Sequence, residues 1–212
     1  MDAKVKLISY VKIRQLIGWL GILLPIAMLL ESTLYCESSI RQSISHYYYS
    51  NLGDVFVGVL TALAVFLYSY RGYEKEKDNQ LTNLTALGAL GVAYFPTDGV
   101  EKGQWGDCSG IIPKIVSHYI HLASACLFFL TLAILLLYFF TRTSKGKLIS
   151  KQKKLRNKIY TICGITMLVC FGWIVIVSFW GNEHLFWQEF IALIAFGFAW
   201  LVKGELLLKD KI

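Results

Sequence analysis

The sequence predicts an all-α integral membrane protein, a bundle of six transmembrane helices with both termini cytoplasmic. Three observations predict it. The 212 residues are 56% hydrophobic and only 17% charged, against about 45–50% and about 25% in a soluble domain. The mean hydropathy is +0.53, and the apolar residues come in blocks instead of an amphipathic pattern. Between the blocks, Lys and Arg alternate between rich and poor segments. Disorder, a fibrous repeat and a small disulfide knot are excluded by the same composition.

Six blocks can cross a hydrocarbon core, which takes roughly 20 residues of helix. The first, Leu16–Tyr35, follows Lys4, Lys6, Lys12 and Arg14. It is longer than a signal-peptide core and no small-x-small cleavage site follows it, so it reads as a retained helix, kinked at Pro25. Asp54–Tyr70 is the second block. The third, Leu81–Phe95, is short and carries Thr82, Asn83, Thr85, Gly88 and Gly91, so its neighbours should shield it. Ile115–Phe140, Ile159–Trp180 and Leu185–Leu208 complete the set. Backbone groups in lipid must be satisfied within the segment, which selects helices. The ten-residue alternation of a membrane barrel is absent.

Orientation follows from the basic residues. One side holds eighteen Lys and Arg; the other holds only Arg41, Lys102 and Lys114. The rich side is cytoplasmic by the positive-inside rule. The formal charge of +7 is therefore a topology signal, and nucleic acid is not the expected partner. The basic loop Ser144–Lys158 should lie against anionic headgroups, making membrane lipids the first partner. No linker, low-complexity tract or repeat divides the chain, so residues 1–212 form a single six-helix domain in the cell membrane.

This topology puts Cys36 and Cys108 in the two longest outer loops. An oxidising compartment would allow a bridge between them; two separate thiols are the alternative. Cys126, Cys163 and Cys170 fall within spans as small packing residues.

All four histidines, His46, His118, His121 and His184, map to the outer side. Ionisable groups at membrane depth are costly and usually mark function. His118 and His121 stand three apart on one helical face. His46, Ser50 and Asp54 are spaced by four, and form one polar stripe if the second helix starts early. Packing the outer ends of the second and fourth spans together would collect His46, Asp54, His118 and His121. Such a set suits Zn²⁺, which takes three protein ligands plus water in catalytic sites. A metal-free, hydrogen-bonded cluster that fixes helix register is the alternative. Asp54 would ligate, orient a histidine or act as general base; Ser50 would hydrogen-bond a developing oxyanion. His184 reads as an exposed turn residue, and Asp98 either faces the cluster or is a solvated loop carboxylate. Tyr47, Tyr48, Tyr49, Phe186 and Trp187 read as an interfacial belt.

The order Ser, His, Asp at an early span, followed by a paired-histidine helix, resembles the alkaline ceramidases and the adiponectin/progestin-type receptors. In that superfamily a Ser and a His on one helix, an Asp on the next and a late His-x-x-x-His pair hold zinc. The resemblance implies Ser43 or Ser50, His46, Asp54, His118 and His121 as site residues. This chain differs in having six spans instead of seven, a His-x-x-His pair, and that pair in the fourth span. The stretch from Asp54-Val-Phe-Val-Gly58 to Phe95-Pro96-Thr97 also resembles six-span bacterial membrane proteins of unknown function. The expected function is thus a zinc-dependent membrane hydrolase that cleaves a lipid amide or ester from the outer side. The alternative is a non-enzymatic bundle, either a sensor or receptor or an assembly subunit, with a structural or pH-responsive cluster. A transporter has less support, because no inverted repeat or mid-depth charge is visible.

Overall fold

Each apolar block is helical in the computed structural model, which describes residues 3–34, 40–70, 77–97, 112–142, 150–180 and 184–209. Six α-helices run in chain order: α1 (Ala3–Leu34), α2 (Gly53–Ser69), α3 (Lys77–Tyr94), α4 (Lys114–Ile134), α5 (Lys151–Phe179) and α6 (Phe186–Lys203). A 3₁₀ helix (Ile44–Tyr49) precedes α2, and a π-helical turn (Leu135–Phe140) prolongs α4. No strand occurs among the described residues.

Boundaries move where polar residues are compatible with helix. α1 begins well before Leu16 and continues through Pro25. α5 begins at Lys151, because the Ser150 hydroxyl caps it by accepting from the Lys153 amide at 3.1 Å. That bond satisfies one of the donors every helix start leaves open.

Each helix packs on its neighbours in sequence, and α6 closes the ring onto α1. Glycine permits the closest crossings. A Cβ on Gly197 would stand 2.6 Å from the Gly18 carbonyl oxygen, so α1 and α6 meet backbone to backbone. A Cβ on Gly88 would stand 2.8 Å from the Phe128 amide nitrogen, and α3 meets α4 in the same way. Thr82 and Thr85 of α3 are fully buried. Thr85 donates to the Thr131 hydroxyl of α4 at 2.9 Å. The shielding expected of the third block is present.

Among the described residues, four helices are long and apolar enough to cross a membrane: Tyr10–Leu34, Lys114–Phe140, Lys151–Phe179 and Phe186–Lys203. α2 is apolar but has only 17 residues. α3 opens on Lys77, Asp78, Asn79 and Gln80, and it falls outside that set. Large apolar side chains face outward from every α-helix, among them Leu23, Val65, Leu87, Ile134, Val169 and Ile191. A soluble monomer rarely shows so much exposed apolar surface. A membrane protein does.

Cys163 and Cys170 are buried and Cys126 is half-buried; all three are free thiols. Cys36 and Cys108 lie outside the described residues.

Candidate functional site

At the end of the bundle away from the chain's first helical residues, the 3₁₀ helix is tied to its surroundings at several points. The Gln42 carbonyl accepts from the amides of Leu185 and Phe186 at 2.6 and 2.8 Å. Glu189, in the first turn of α6, accepts from the Ile44 amide at 2.6 Å. The Tyr47 hydroxyl meets the Ser32 hydroxyl of α1 in a short hydrogen bond. Tyr49 donates to the Thr97 carbonyl beyond α3 at 3.0 Å. Segment 42–49 is thereby held by α1, α6 and the end of α3.

These contacts correct the belt reading for two tyrosines. Tyr47 is 0% exposed and sits in the core, and Tyr49 bonds across to the α3 terminus. Phe186 is core as well, whereas Trp187 is 52% exposed.

α3 ends at Tyr94, and the polar face of α4 receives its end. Pro96 stops the helix, leaving terminal carbonyls without an intrahelical donor. Ser117 donates to the Pro96 carbonyl at 3.0 Å. His121 Nδ1 lies 2.8 Å from the Phe95 carbonyl, and His118 Nδ1 lies 3.3 Å from Thr97 Oγ1. Residues 117, 118 and 121 share one side of a helix, so this single face seals the α3 terminus. A carbonyl only accepts, so His121 Nδ1 carries the proton in that bond.

His46 belongs to the same group. Its Nδ1 lies 2.6 Å from Ser43 Oγ, and both His46 and His118 are near enough to act electrostatically on His121. His121 and Ser43 are each 4% exposed. Glu31 is 5% exposed, and neither of its carboxylate oxygens has a hydrogen-bond partner among the described residues.

One sequence expectation fails here. His46, Ser50 and Asp54 do not form a helical stripe. Ser50 is extended at φ −102°, ψ 178°, and a turn through Asn51 and Leu52 separates the 3₁₀ helix from α2. Ser50 serves that turn: its hydroxyl donates to the Tyr47 carbonyl at 2.9 Å and accepts from the Leu52 amide at 3.1 Å. Of the two candidate serines, it is Ser43 that meets His46.

Asp54 is placed differently from the histidines. It is exposed in the first turn of α2, where a carboxylate complements the helix dipole. It lies at the rim of a groove of about 730 Å³ lined by Tyr48, Val57, Gly58, Thr61 and Tyr94, among others. Thr61 donates to the Tyr94 hydroxyl across this groove at 3.2 Å.

The full set His46, Asp54, His118 and His121 was expected in one coordination sphere. Among the described residues, no three His, Cys, Asp or Glu side chains are grouped closely enough to hold a metal ion. His184 is exposed, as expected of a turn residue. Asp98 lies outside the described residues.

Sequence reasoning put Glu189 among the outer-side carboxylates without finding its partner, and it did not find the roles of Thr97 or the Phe95 carbonyl. Pro96 was the available signal for the last two, since a helix stopped by proline next to a polar helix face needs donors from that face. Comparison with protein-family models, with curated proteins and with solved structures returns no match.

Proposed function

We propose that the protein is a six-span membrane hydrolase, with both termini cytoplasmic, that cleaves a lipid amide or ester at its histidine end. For the span number, α2 and α3 reach about 26 and 27 Å at 1.5 Å per residue, close to a hydrocarbon core of about 30 Å. For the orientation, the support is the excess of basic residues on the side of the N-terminus.

One observation carries the catalytic reading. His46, His118 and His121 each have Nδ1 engaged by an oxygen: Ser43 for His46, Thr97 for His118 and the Phe95 carbonyl for His121. Metal-ligating histidines characteristically hold their other ring nitrogen in this way, which fixes ring orientation and tautomer. Nε2 is then the nitrogen that would face Zn²⁺, and coordination would need each Nε2 at about 2.0–2.1 Å from a common point, closer together than these side chains stand in the structure. Zinc, when bound, supplies a water acidic enough to attack a carbonyl near neutral pH. The chain's own residues do the rest. Ser43, Thr97 and Phe95 hold the imidazoles, and Glu189 and Tyr47 hold the segment that carries His46. The groove between α2 and α3 would take the apolar part of a lipid, with Asp54 beside its polar part.

A second reading is favoured by the absence, among the described residues, of three grouped ligands. In it, the same Nδ1 bonds are staples that fix helix ends, and the protein is a non-enzymatic bundle. The test is the zinc content of the detergent-purified protein, together with its hydrolysis of a ceramide and of an acyl ester in micelles. The hydrolase reading expects about one zinc per chain, lost with activity in the His118→Ala, His121→Ala double variant. Protein that contains no zinc, binds none on addition and cleaves neither lipid supports the bundle instead.

A further inference from the structure

The groove between α2 and α3 has an order of polarity along its length. Its α2 wall includes Asp54, Gly58, Thr61 and Val65, which repeat at the spacing of one helical face. From Asp54 to Phe66, the two ends of that wall, the helix runs about 18 Å at 1.5 Å per residue. One leaflet of a hydrocarbon core of about 30 Å is about 15 Å deep. The groove therefore has the length of one acyl chain lying along α2, with Asp54 left at headgroup depth. Val65 is 56% and Tyr94 57% exposed, so the groove opens sideways and a lipid enters it without crossing the bundle.

Charge marks the Asp54 end. Among the described residues, Asp54 has no hydrogen bond or ion pair, and no Lys or Arg lines the groove. The helix dipole accounts for an acid in the first turn of α2. It leaves open what neutralises that acid on the wall of a lipid-sized groove.

Hydroxyls come next. About 10 Å along the helix from Asp54, Thr61 donates to the Tyr94 hydroxyl at 3.2 Å. Tyr94 accepts in that bond and keeps its own proton, which has no acceptor among the described residues. Beyond Thr61 the α2 wall is apolar, with Ala62, Val65 and Phe66. A carboxylate, a hydroxyl donor and an apolar wall thus follow one another along a single cavity. They match the cation, ester oxygens and chain of a lipid taken in the same order.

We propose that this groove selects a membrane lipid whose headgroup carries a primary ammonium. Such a group brings positive charge and three N–H donors, and its bonds to a carboxylate are charge-assisted. A quaternary ammonium has no N–H to give Asp54. A purely anionic headgroup meets Asp54 with like charge, which selects against it. The proposal rests on the reading of this groove as a lipid site. It does not require the hydrolytic step, so binding alone tests it.

The experiment uses the full-length protein in neutral detergent and three phospholipid probes with the same diazirine-bearing acyl chain. Their headgroups are phosphoethanolamine, phosphocholine and phosphoglycerol, and each is added at the same mole fraction. After irradiation and digestion, mass spectrometry measures the labelling of residues 57–66. The ethanolamine probe should label them about tenfold more than either other probe, the size of one charge-assisted hydrogen bond. Asp54→Asn should bring all three probes to the same level. Gly58→Leu, which puts a side chain into the open space of the groove, should remove labelling by every probe. Equal labelling by the ethanolamine probe and either other one, or a preference that persists in Asp54→Asn, overturns the headgroup assignment and leaves the lipid site standing. Labelling unchanged in Gly58→Leu, or no labelling of residues 57–66 by any probe, overturns the lipid site with it. The wild-type comparison decides by itself should a variant fail to fold.

Discussion

Glu189 anchors the start of the segment that carries His46, and replacing it has a calculable cost. Its Oε2 accepts from the Ile44 amide at 2.6 Å, at the start of the 3₁₀ helix; the Ser45 amide faces the same carboxylate. A hydrogen bond to a charged group contributes about 1.5–3 kcal/mol. Glu189→Ala leaves buried amides open and should cost about 2–3 kcal/mol. Glu189→Gln keeps an acceptor oxygen without the charge and should cost about 1 kcal/mol. For a chain of this size, about 1 kcal/mol moves the melting temperature by about 2–4 °C. Thermal unfolding in detergent should therefore fall by about 5–10 °C for alanine and about 2–4 °C for glutamine. Hydrogen exchange should report where the loss occurs, with protection of the Ile44 and Ser45 amides falling first. An alanine variant that melts within about 1 °C of wild type, with both amides still protected, would refute the anchoring role.

Four shorter predictions follow from other parts of the chain. A Cβ on Gly58 would meet nothing within 4 Å, so Gly58→Leu should fold normally, yet fill the α2–α3 groove and reduce hydrolysis of long-chain lipids in a micelle assay. Gly88→Val must push against the Phe128 and Ser124 backbone; overpacking of this kind costs about 1–3 kcal/mol, visible as a lower melting temperature. A reporter active only in the cytoplasm should work when fused after Ile212 and fail when inserted near Gly103; the reverse pattern overturns the assigned orientation. A gel mobility shift on reduction should be present in wild type and vanish in Cys36→Ser if Cys36 and Cys108 are bonded.

Much of the fold was legible because helix lets a long apolar block satisfy its own backbone groups. What was not legible was where helices begin in water. The residues before Leu16 and Ile159 are charged, and a hydrophobicity reading stops at them, although Lys and Arg are good helix formers. The candidate site was half legible. His118 and His121 could be placed on one face from their spacing alone. The stripe through His46, Ser50 and Asp54 could not survive Ser50, whose hydroxyl closes a local turn in the way that disfavours serine within helices. The partner of Glu189 was invisible for a different reason. It is a backbone amide 145 positions away, and a backbone donor leaves no mark in sequence.

The two functional readings share every hydrogen bond at the histidine end, so those bonds alone do not separate them. The contacts that orient the ligands of a metal site and the staples of a structural cluster are the same: a ring nitrogen held by an oxygen from another element. What differs is the work asked of Nε2. A staple needs nothing there, and replacing His118 or His121 with Asn, whose amide sits where Nδ1 does, should keep the Nδ1-side bond in part and preserve stability. A zinc ligand cannot be replaced in this way, because an amide is a poor donor to the metal at imidazole distances. His121→Asn therefore discriminates where His121→Ala does not. Loss of both zinc and hydrolysis at nearly unchanged melting temperature argues for the metal site, and an unchanged protein in every assay argues for the staple.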